Sequence, residues 1–443
     1  MERSDIIIIG GGPGGYEIAA ELADKGMKVT LVERDLLGGT CLNRGCIPTK
    51  CLCATAEAAL NAQSASALGV ETKDISIDYG KARARMHAVV DDMRDGVRRV
   101  LSKVQVINGT ATVNADGSIQ VGDTQLVADK VLIATGSKPA RLPIPGAELA
   151  LTSDELLQTE LPQPQRLTII GGGVIGIEFA SIYAALGTEV TVLEYCKEIL
   201  PPFDADIAKR LRMALHSRGI KFVTGANVKA ISTDMTVSFE TRRGEATAEA
   251  DMVLMATGRR PVLPDGLQEA GIELTERGFI EVDELMRTTR PGFYAAGDVT
   301  GICMLAHAAS AQARVALCED ADVDLNIIPS AVFSVPEAAM AGLTATECER
   351  LGIECTTARC NYAANGKAQA AGVASTGLVK LVYNPQTRLL LGVHVLGAHA
   401  SDLVAEAVAL MHGMVTIDEL AGDIVHSHPT LSELLQAAAR NAS

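Results

Sequence analysis

Residues 5–33 read DIIIIGGGPGGYEIAAELADKGMKVTLVE, and residues 167–194 repeat the design as LTIIGGGVIGIEFASIYAALGTEVTVLE. Each copy passes from an apolar run through a glycine turn and an amphipathic helical pattern to a glycine, a second apolar run and an acid. Each carries GxGxxG, as Gly10-Gly12-Gly15 and as Gly171-Gly173-Gly176, and in each a glutamate (Glu33 or Glu194) stands 23 positions after the first glycine. The first glycine allows the tight turn out of the strand, the second lets backbone approach a pyrophosphate, and the third lets helix and sheet pack closely. The helix start then presents unpaired N–H groups and the positive end of the helix dipole to phosphate, while the acid accepts hydrogen bonds from ribose hydroxyls. A glycine turn alone is a weak signal. Strand, helix and acid at one spacing, written twice, predict two dinucleotide sites.

The echo continues in VLIATGSKP (131–139) and VLMATGRRP (253–261). Two Rossmann-like domains in series are expected, each closed by a buried strand and an ATG turn. Two dinucleotides in one chain imply an electron route from a resident cofactor to a visiting one, with FAD and a nicotinamide nucleotide as the obvious pair. A carboxylate at Glu194 suits a free ribose 2′-hydroxyl and repels a 2′-phosphate. The residues after it, YCKEILPPFDAD, hold one lysine and no arginine, which favours NAD over NADP.

The 443 residues are 48% hydrophobic and 21% charged, enough to bury the cores of several domains. A net charge of -15 argues against nucleic acid or an anionic membrane as partner, since either would want a basic face. The isoleucine run that opens the chain is too short for a signal-peptide core or a membrane span, so a soluble, cytoplasmic protein is expected. Ten cysteines are too sparse for a disulfide scaffold.

Four of those cysteines nevertheless crowd together: GGTCLNRGCIPTK (38–50) holds Cys41 and Cys46, and Cys51 and Cys53 come next. Zinc and iron–sulfur sites usually show two-residue gaps in their cysteine runs, and these gaps are four, four and one. A structural staple over so short a loop is worth only about 2 kcal/mol, and a cytosolic reductant would open it. Two unrelated buried thiols, or a pair that is made and broken during turnover, remain. If Cys41 and Cys46 do bond, the segment cannot be one regular helix, because Cα atoms five apart on a helix lie roughly 8–9 Å from each other and a disulfide needs less than about 7 Å. Gly45 offers the freedom to tighten it.

Together and in this order, the motifs resemble those of the pyridine nucleotide–disulfide oxidoreductases, from Asp5 to the C-terminus. The fold this implies is α/β, with two Rossmann-like FAD/NAD(P)-binding domains plus a C-terminal α+β dimerisation domain. The boundaries expected are 1–145 for the FAD domain, 146–262 for the NAD domain, 263–325 for a central segment completing the FAD site and 326–443 for the interface domain. By the resemblance, Cys41 is the interchange thiol and Cys46 the thiol against the flavin, with Lys50 beside the ring and paired with Glu178. Tightly but non-covalently bound FAD would be held by Gly10, Gly12, Gly15, Glu33, Gly39, Thr40, Lys50, Ala111, Thr135 and Gly136. FYAAGDVTG (293–301) resembles the second flavin signature, with Asp298 on the ribityl chain, and Met304, Leu305 and Ala306 pack beside the ring. NAD+/NADH would be held by Gly171, Gly173, Gly176, Glu178, Glu194, Val228 and Gly258.

A thiol-exchange enzyme needs a base, because the thiolate is the nucleophile. The ending HPTLSE resembles the family's, with His428 as base and Glu433 fixing its ring. Thr430 is expected to cap the C-terminal helix, and His426 reads as structural. In the family the base acts on the dithiol of the other subunit, which implies a homodimer. The reaction implied is oxidation of a dithiol, dihydrolipoamide borne on the lipoyl protein of a 2-oxoacid dehydrogenase or glycine cleavage complex, with electrons passing through the cysteine pair and FAD to NAD+. An NAD(P)H-dependent reductase of another disulfide is the alternative, with a non-catalytic redox-sensing flavoprotein behind it. Cys51 and Cys53 are expected to be bystanders, and Cys303 has no assigned role.

Overall fold

Ile6, Ile7, Ile8 and Ile9 leave no polar position for a solvated face, so the strand they form must be covered on both sides. In the computed structural model, which describes residues 2–442, all four are buried. Their strand, Glu2–Ile9, lies between two parallel neighbours, Val29–Glu33 on one side and Thr124–Ile133 on the other. Gln105–Asn108 extends the sheet in parallel beyond Val29–Glu33, and Phe293–Ala295 also pairs in parallel with Thr124–Ile133. Ile119–Val121 and Ala111–Val113 complete it in antiparallel sense. The chain leaves the central strand for opposite sides of the sheet, and the crevice this opens at the strands' carboxyl ends is where open α/β sheets bind ligands.

The helix Pro13–Asp24 starts where proline is pre-set for the first turn and its missing N–H costs nothing. It buries Ile18, Ala19, Leu22 and Ala23 against the sheet and ends before Gly26, whose φ is 86°. This unit is assembled from three pieces of chain, Met1–Cys51, Lys81–Ala140 and Gly258–Leu325.

A second unit comprises Leu52–Gly80, Arg141–Thr257 and Asn326–Ser443. Its nucleotide-type sheet is wholly parallel, in the order Lys221–Thr224, Glu189–Glu194, Arg166–Ile170, Met252–Met255, Leu151–Thr152. The helix Val174–Ala185 is apolar almost all round and is buried through Tyr183 and Ala185. The same unit contains an antiparallel sheet, Ser330–Val332, Glu337–Gly342, Leu390–Gly397, Leu378–Tyr383, Thr356–Asn361. Helices Ala400–His412 and Glu433–Arg440 cover it, and Val379, Leu381, Val393, Val395, Leu403 and Leu434 form its core.

Candidate active site

Both glycine turns are built alike. Gly10 has φ 114° and Gly171 φ 110°, and a Cβ at either would meet a backbone oxygen (of Ala134 or Ala256) at 2.3 Å. At Gly15 and Gly176 a Cβ would lie 1.8 and 2.0 Å from the carbonyl oxygens of Gly10 and Gly171. Those four glycines are required by the chain itself. Gly12 and Gly173 are different. Their φ values are −77° and −75°, a Cβ on Gly12 would come no nearer than 3.8 Å to anything, and one on Gly173 would meet open space. Nothing in the protein demands glycine there, so the demand comes from a group outside it, as a pyrophosphate crossing the helix start would make. The residues present therefore fit the two dinucleotides.

Each acid holds its loop. Glu33 accepts from the Gly11 N–H at 2.6 Å and from the Asp35 N–H at 2.8 Å. Glu194 accepts from Gly172 at 2.5 Å and from Cys196 at 2.6 Å. Each carboxylate oxygen accepts a single backbone bond there and keeps a lone pair for a ribose hydroxyl.

In the first unit an open cleft brings together Gly10, Glu33, Ala111 and Thr135, with Arg34, Gly109 and Val262 around them. Gly136, with φ 69°, comes directly after Thr135, whose hydroxyl donates to the Val262 carbonyl at 2.6 Å. Strands Ser137–Pro139 and Arg259–Pro261, which follow the two ATG sequences, pair antiparallel, with Gly136 beside Val262 and Gly258 beside Ala140. There Ser137 donates to Asp298 at 2.5 Å and Arg259 donates to the Ser137 hydroxyl at 2.7 Å. Buried Gln312 accepts from the Gly297 N–H at 2.7 Å and fixes the Gly-Asp turn. Ser137, Arg259 and Gln312, which surround the Gly-Asp turn, were passed over by the motif reading. The second ATG turn was the available signal for the first two. Leu305 stands at the start of the helix Ala306–Leu317.

The cysteine segment docks on the first glycine turn. Gly38, with φ 93°, donates its N–H to the Gly11 carbonyl at 2.8 Å, and a Cβ on Gly39 would lie 2.6 Å from Gly12 Cα. Thr40 and Cys41 sit on the short helix Gly39–Arg44. Gly45 then leaves helical space (φ −141°, ψ −110°), and a new helix, Cys46–Ser64, begins at the second cysteine. The break falls where a five-residue cysteine spacing needs it. The Cys41 and Cys46 side chains are hydrogen-bonded to each other. That bond, with burial second, pushes the Cys41 thiol well above its ordinary range, against a smaller opposing pull from the Lys50 charge. Asn43, also unforeseen, ties the turn down by donating to the Leu37 and Gly39 carbonyls and accepting from Arg94. Cys41 opens onto a hollow lined by Tyr16, Leu42, Ile47, Met93, Ala306 and His307.

In the second unit, Glu178 is buried and accepts from the Phe333 N–H at 3.0 Å. Val228 belongs to a hydrophobic core, so only its backbone faces a choice of partners, and Gly258 has φ 100°. His428 is 80% exposed at its side chain, and its Nδ1 meets Glu433 Oε1 at 2.9 Å. Glu433 also accepts from the Thr430 N–H at 2.8 Å. These two bonds, the backbone one first, hold its carboxyl below the usual range. Thr430 does not cap the helix: its hydroxyl donates to the Ser427 carbonyl at 2.8 Å, and the helix opens one residue after Ser432 with no side-chain cap. His426 is enclosed, with Nε2 at 2.6 Å from Glu406. The arrangement offers a dithiol beside one dinucleotide turn, a second turn of the same build, and an exposed histidine oriented by a carboxylate.

Residues 4–313 match the family profile described as pyridine nucleotide-disulphide oxidoreductase, and residues 328–439 match its dimerisation domain. The chain is 39% identical to a dihydrolipoyl dehydrogenase of Thermus scotoductus, over 99% of this chain and 97% of the relative. It is 37% identical to one of Bacillus subtilis, over 98% and 97%. Among solved structures, the HOCl-induced flavoprotein disulfide reductase RclA of Escherichia coli superposes with a TM-score of 0.86 at 28% identity, covering 99% of this chain and all of that one.

Proposed function

Because the chain belongs to the pyridine nucleotide–disulphide oxidoreductase family, we propose that Cys41, Cys46, His428 and Glu433 are the residues with which it oxidises a dithiol. It is a flavoprotein oxidoreductase of the dihydrolipoyl dehydrogenase kind, using FAD and NAD(H). The observation that carries the residue assignment is the helix broken at Gly45 with a thiol on either side, docked through Gly38 onto a dinucleotide turn.

Glu433 holds the His428 ring by its Nδ1 edge, leaving Nε2 to take a proton from the substrate thiol. The resulting thiolate attacks the Cys41 sulfur of the oxidised pair, and Cys46 leaves as thiolate. The second substrate thiol then attacks its own partner sulfur as its proton passes to the departing Cys41, closing the substrate disulfide, while the first proton stays on His428. Cys41, whose thiol is pushed up by Cys46 and burial, takes the second proton, and the negative charge stays on Cys46. FAD, when bound, supplies the two-electron relay from the pair to NAD+. The turns at Gly12 and Gly173 would receive the two pyrophosphates, Glu33 and Glu194 the riboses, and Asp298, held by Ser137, the flavin side chain. The dimerisation domain supports a homodimer, in which His428 serves the thiols of the other protomer. The dithiol is dihydrolipoamide on the lipoyl-bearing protein of a 2-oxoacid dehydrogenase or glycine cleavage complex. No helix among the described residues is long and apolar enough to cross a membrane, and the reading places the enzyme in the cytoplasm.

The test is a pair of assays on the purified holoenzyme, NAD+ with dihydrolipoamide beside NADPH with oxidised glutathione. Turnover in the first is expected. Turnover only in the second would replace this reading with a disulfide reductase of the kind that the RclA likeness suggests.

A further inference from the structure

Lys380 stands in the middle of the antiparallel sheet, on Leu378–Tyr383, with its side chain only 7% exposed. Its ammonium donates to Asp204 Oδ2 at 2.7 Å and to Asp206 Oδ2 at 3.0 Å. Asp204 is itself buried, and its other oxygen accepts from the Asp206 N–H at 3.0 Å, capping the helix Ala205–Ser217. Arg359 closes the rim of the cluster at 3.0 Å from Asp206. His394, opposite Lys380 in the strand register, has its pKa lowered by burial, and its Nε2 meets the Leu343 carbonyl. A cation and a carboxylate buried this deeply are weak contributors to stability, because desolvation offsets much of their attraction. Such a pair is better explained by what it fixes.

What it fixes is the far end of the excursion after Glu194. Cys196 donates to Glu194, and Leu200 donates its N–H to the Gly172 carbonyl at 2.9 Å. Leu200 is a fully buried leucine at φ 49°, a left-handed conformation that side chains avoid and that persists only where the surroundings impose it. The Phe203 N–H returns to the Leu200 carbonyl at 2.8 Å, and Asp204 is the next residue. Asp204, the partner of Lys380, is thus four residues of chain from the Leu200 N–H that hydrogen-bonds the second glycine turn, and that turn's Gly172 N–H is the one Glu194 accepts.

We infer that Lys380 is a positioning residue for the pyridine dinucleotide: through Asp204 it sets the excursion at residues 195–204, and with it the placement of Gly172 and Glu194. This rests on the reading of the second repeat as the NAD site. The first repeat's excursion is held differently, by Asn43 on the Leu37 and Gly39 carbonyls with Arg94 behind it, and runs on into the cysteine helix.

The test is Asp204→Asn in the holoenzyme. Asparagine caps as well as aspartate, so the substitution removes the charge opposite Lys380 and keeps the helix start. The KM for NAD+ should rise about fivefold, in the range of effects transmitted through packed elements, with kcat changed less than twofold. Flavin reduction by dihydrolipoamide without NAD+ should be unchanged in rate and amplitude. Asp206→Asn, at the exposed rim, should move KM the same way by a smaller factor, and it decides the matter if Asp204→Asn does not fold. An unchanged KM in a folded variant overturns the inference, as does an equal slowing of the dithiol half-reaction, which would mark a merely structural role. Flavin reduction by NADH reads the nucleotide site without any dithiol. A wild-type enzyme inert to dihydrolipoamide would therefore sink the proposed substrate and leave the clamp still open to measurement.

Discussion

The two glycine repeats keep one register of 161 positions from Gly10 and Gly171 through to Glu33 and Glu194. They keep the same φ at the first glycine, the same clash distance to the next strand and the same bond from acid to central glycine. Even the return is shared: Gly38 in one and Leu200 in the other donates to that central glycine's carbonyl with a positive φ. The repeats part company immediately afterwards. The first runs into Gly39, Thr40 and Cys41, so in the proposed mechanism the reactive thiol is delivered to the turn assigned to FAD. The second runs into a proline pair and Asp204, which Lys380 holds. Glu17 and its counterpart Glu178 differ likewise, the one exposed and the other buried on the Phe333 N–H. On the proposed function, binding is therefore a property of the common part, and the division into resident and visiting dinucleotide a property of the two excursions beyond it.

The strongest way to break this comparison is Cys46→Ser. Serine keeps the shape but cannot form the disulfide, so dithiol–NAD+ turnover should fall by about three orders of magnitude or more, and the absorbance of a thiolate against the flavin should vanish. NADH binding, which belongs to the second repeat, should be unaffected. Retained turnover would mean that the first excursion is not the relay. A finer cut is Gly173→Ala against Gly12→Ala. Neither added Cβ meets protein within 3.4 Å, so thermal stability should change by no more than about 0.5 kcal/mol. Gly173→Ala should raise the KM for NAD+ about tenfold, the equivalent of about 1.4 kcal/mol, and leave flavin content alone. Gly12→Ala should do the reverse, lowering flavin retention and sparing the NAD+ KM. If both variants behave alike, the two sites have been assigned to the wrong repeats.

Local pattern made the common part legible. The acid spacing, the isoleucine strand, the break at Gly45 and the His428–Glu433 contact all lie within a few turns of chain, where period and turn chemistry apply. Polar pairing over distance escaped. Lys380 and Asp204 are 176 positions apart, Ser137 and Asp298 are 161 apart, and Arg94 reaches Asn43 across 51. No periodicity marks such partners, because each looks like an ordinary surface residue until the sheet buries it. Thr430 failed for the opposite reason. It was a sound local cap, but its hydroxyl found the Ser427 carbonyl instead and the helix started later.

The smallest effect is expected at Cys51 and Cys53, and it tests where the first repeat's chemistry ends. Cys51 is buried, as a small, weakly polar side chain commonly is. The Cys53 thiol donates to the Phe333 carbonyl at 3.2 Å, and Phe333 in turn donates its N–H to Glu178. Cys53 is thus tied to the helix of the second repeat. A thiol is a weak donor, so Cys53→Ala should cost little. Turnover should stay within about twofold, with any change in the KM for NAD+ and none in the thiolate absorbance. Cys51→Ala should lower thermal stability by roughly 1 kcal/mol and leave turnover intact. If Cys53→Ala instead lowers the thiolate absorbance, the redox segment extends a full helical turn past Lys50, and the boundary between the two repeats has been drawn too early.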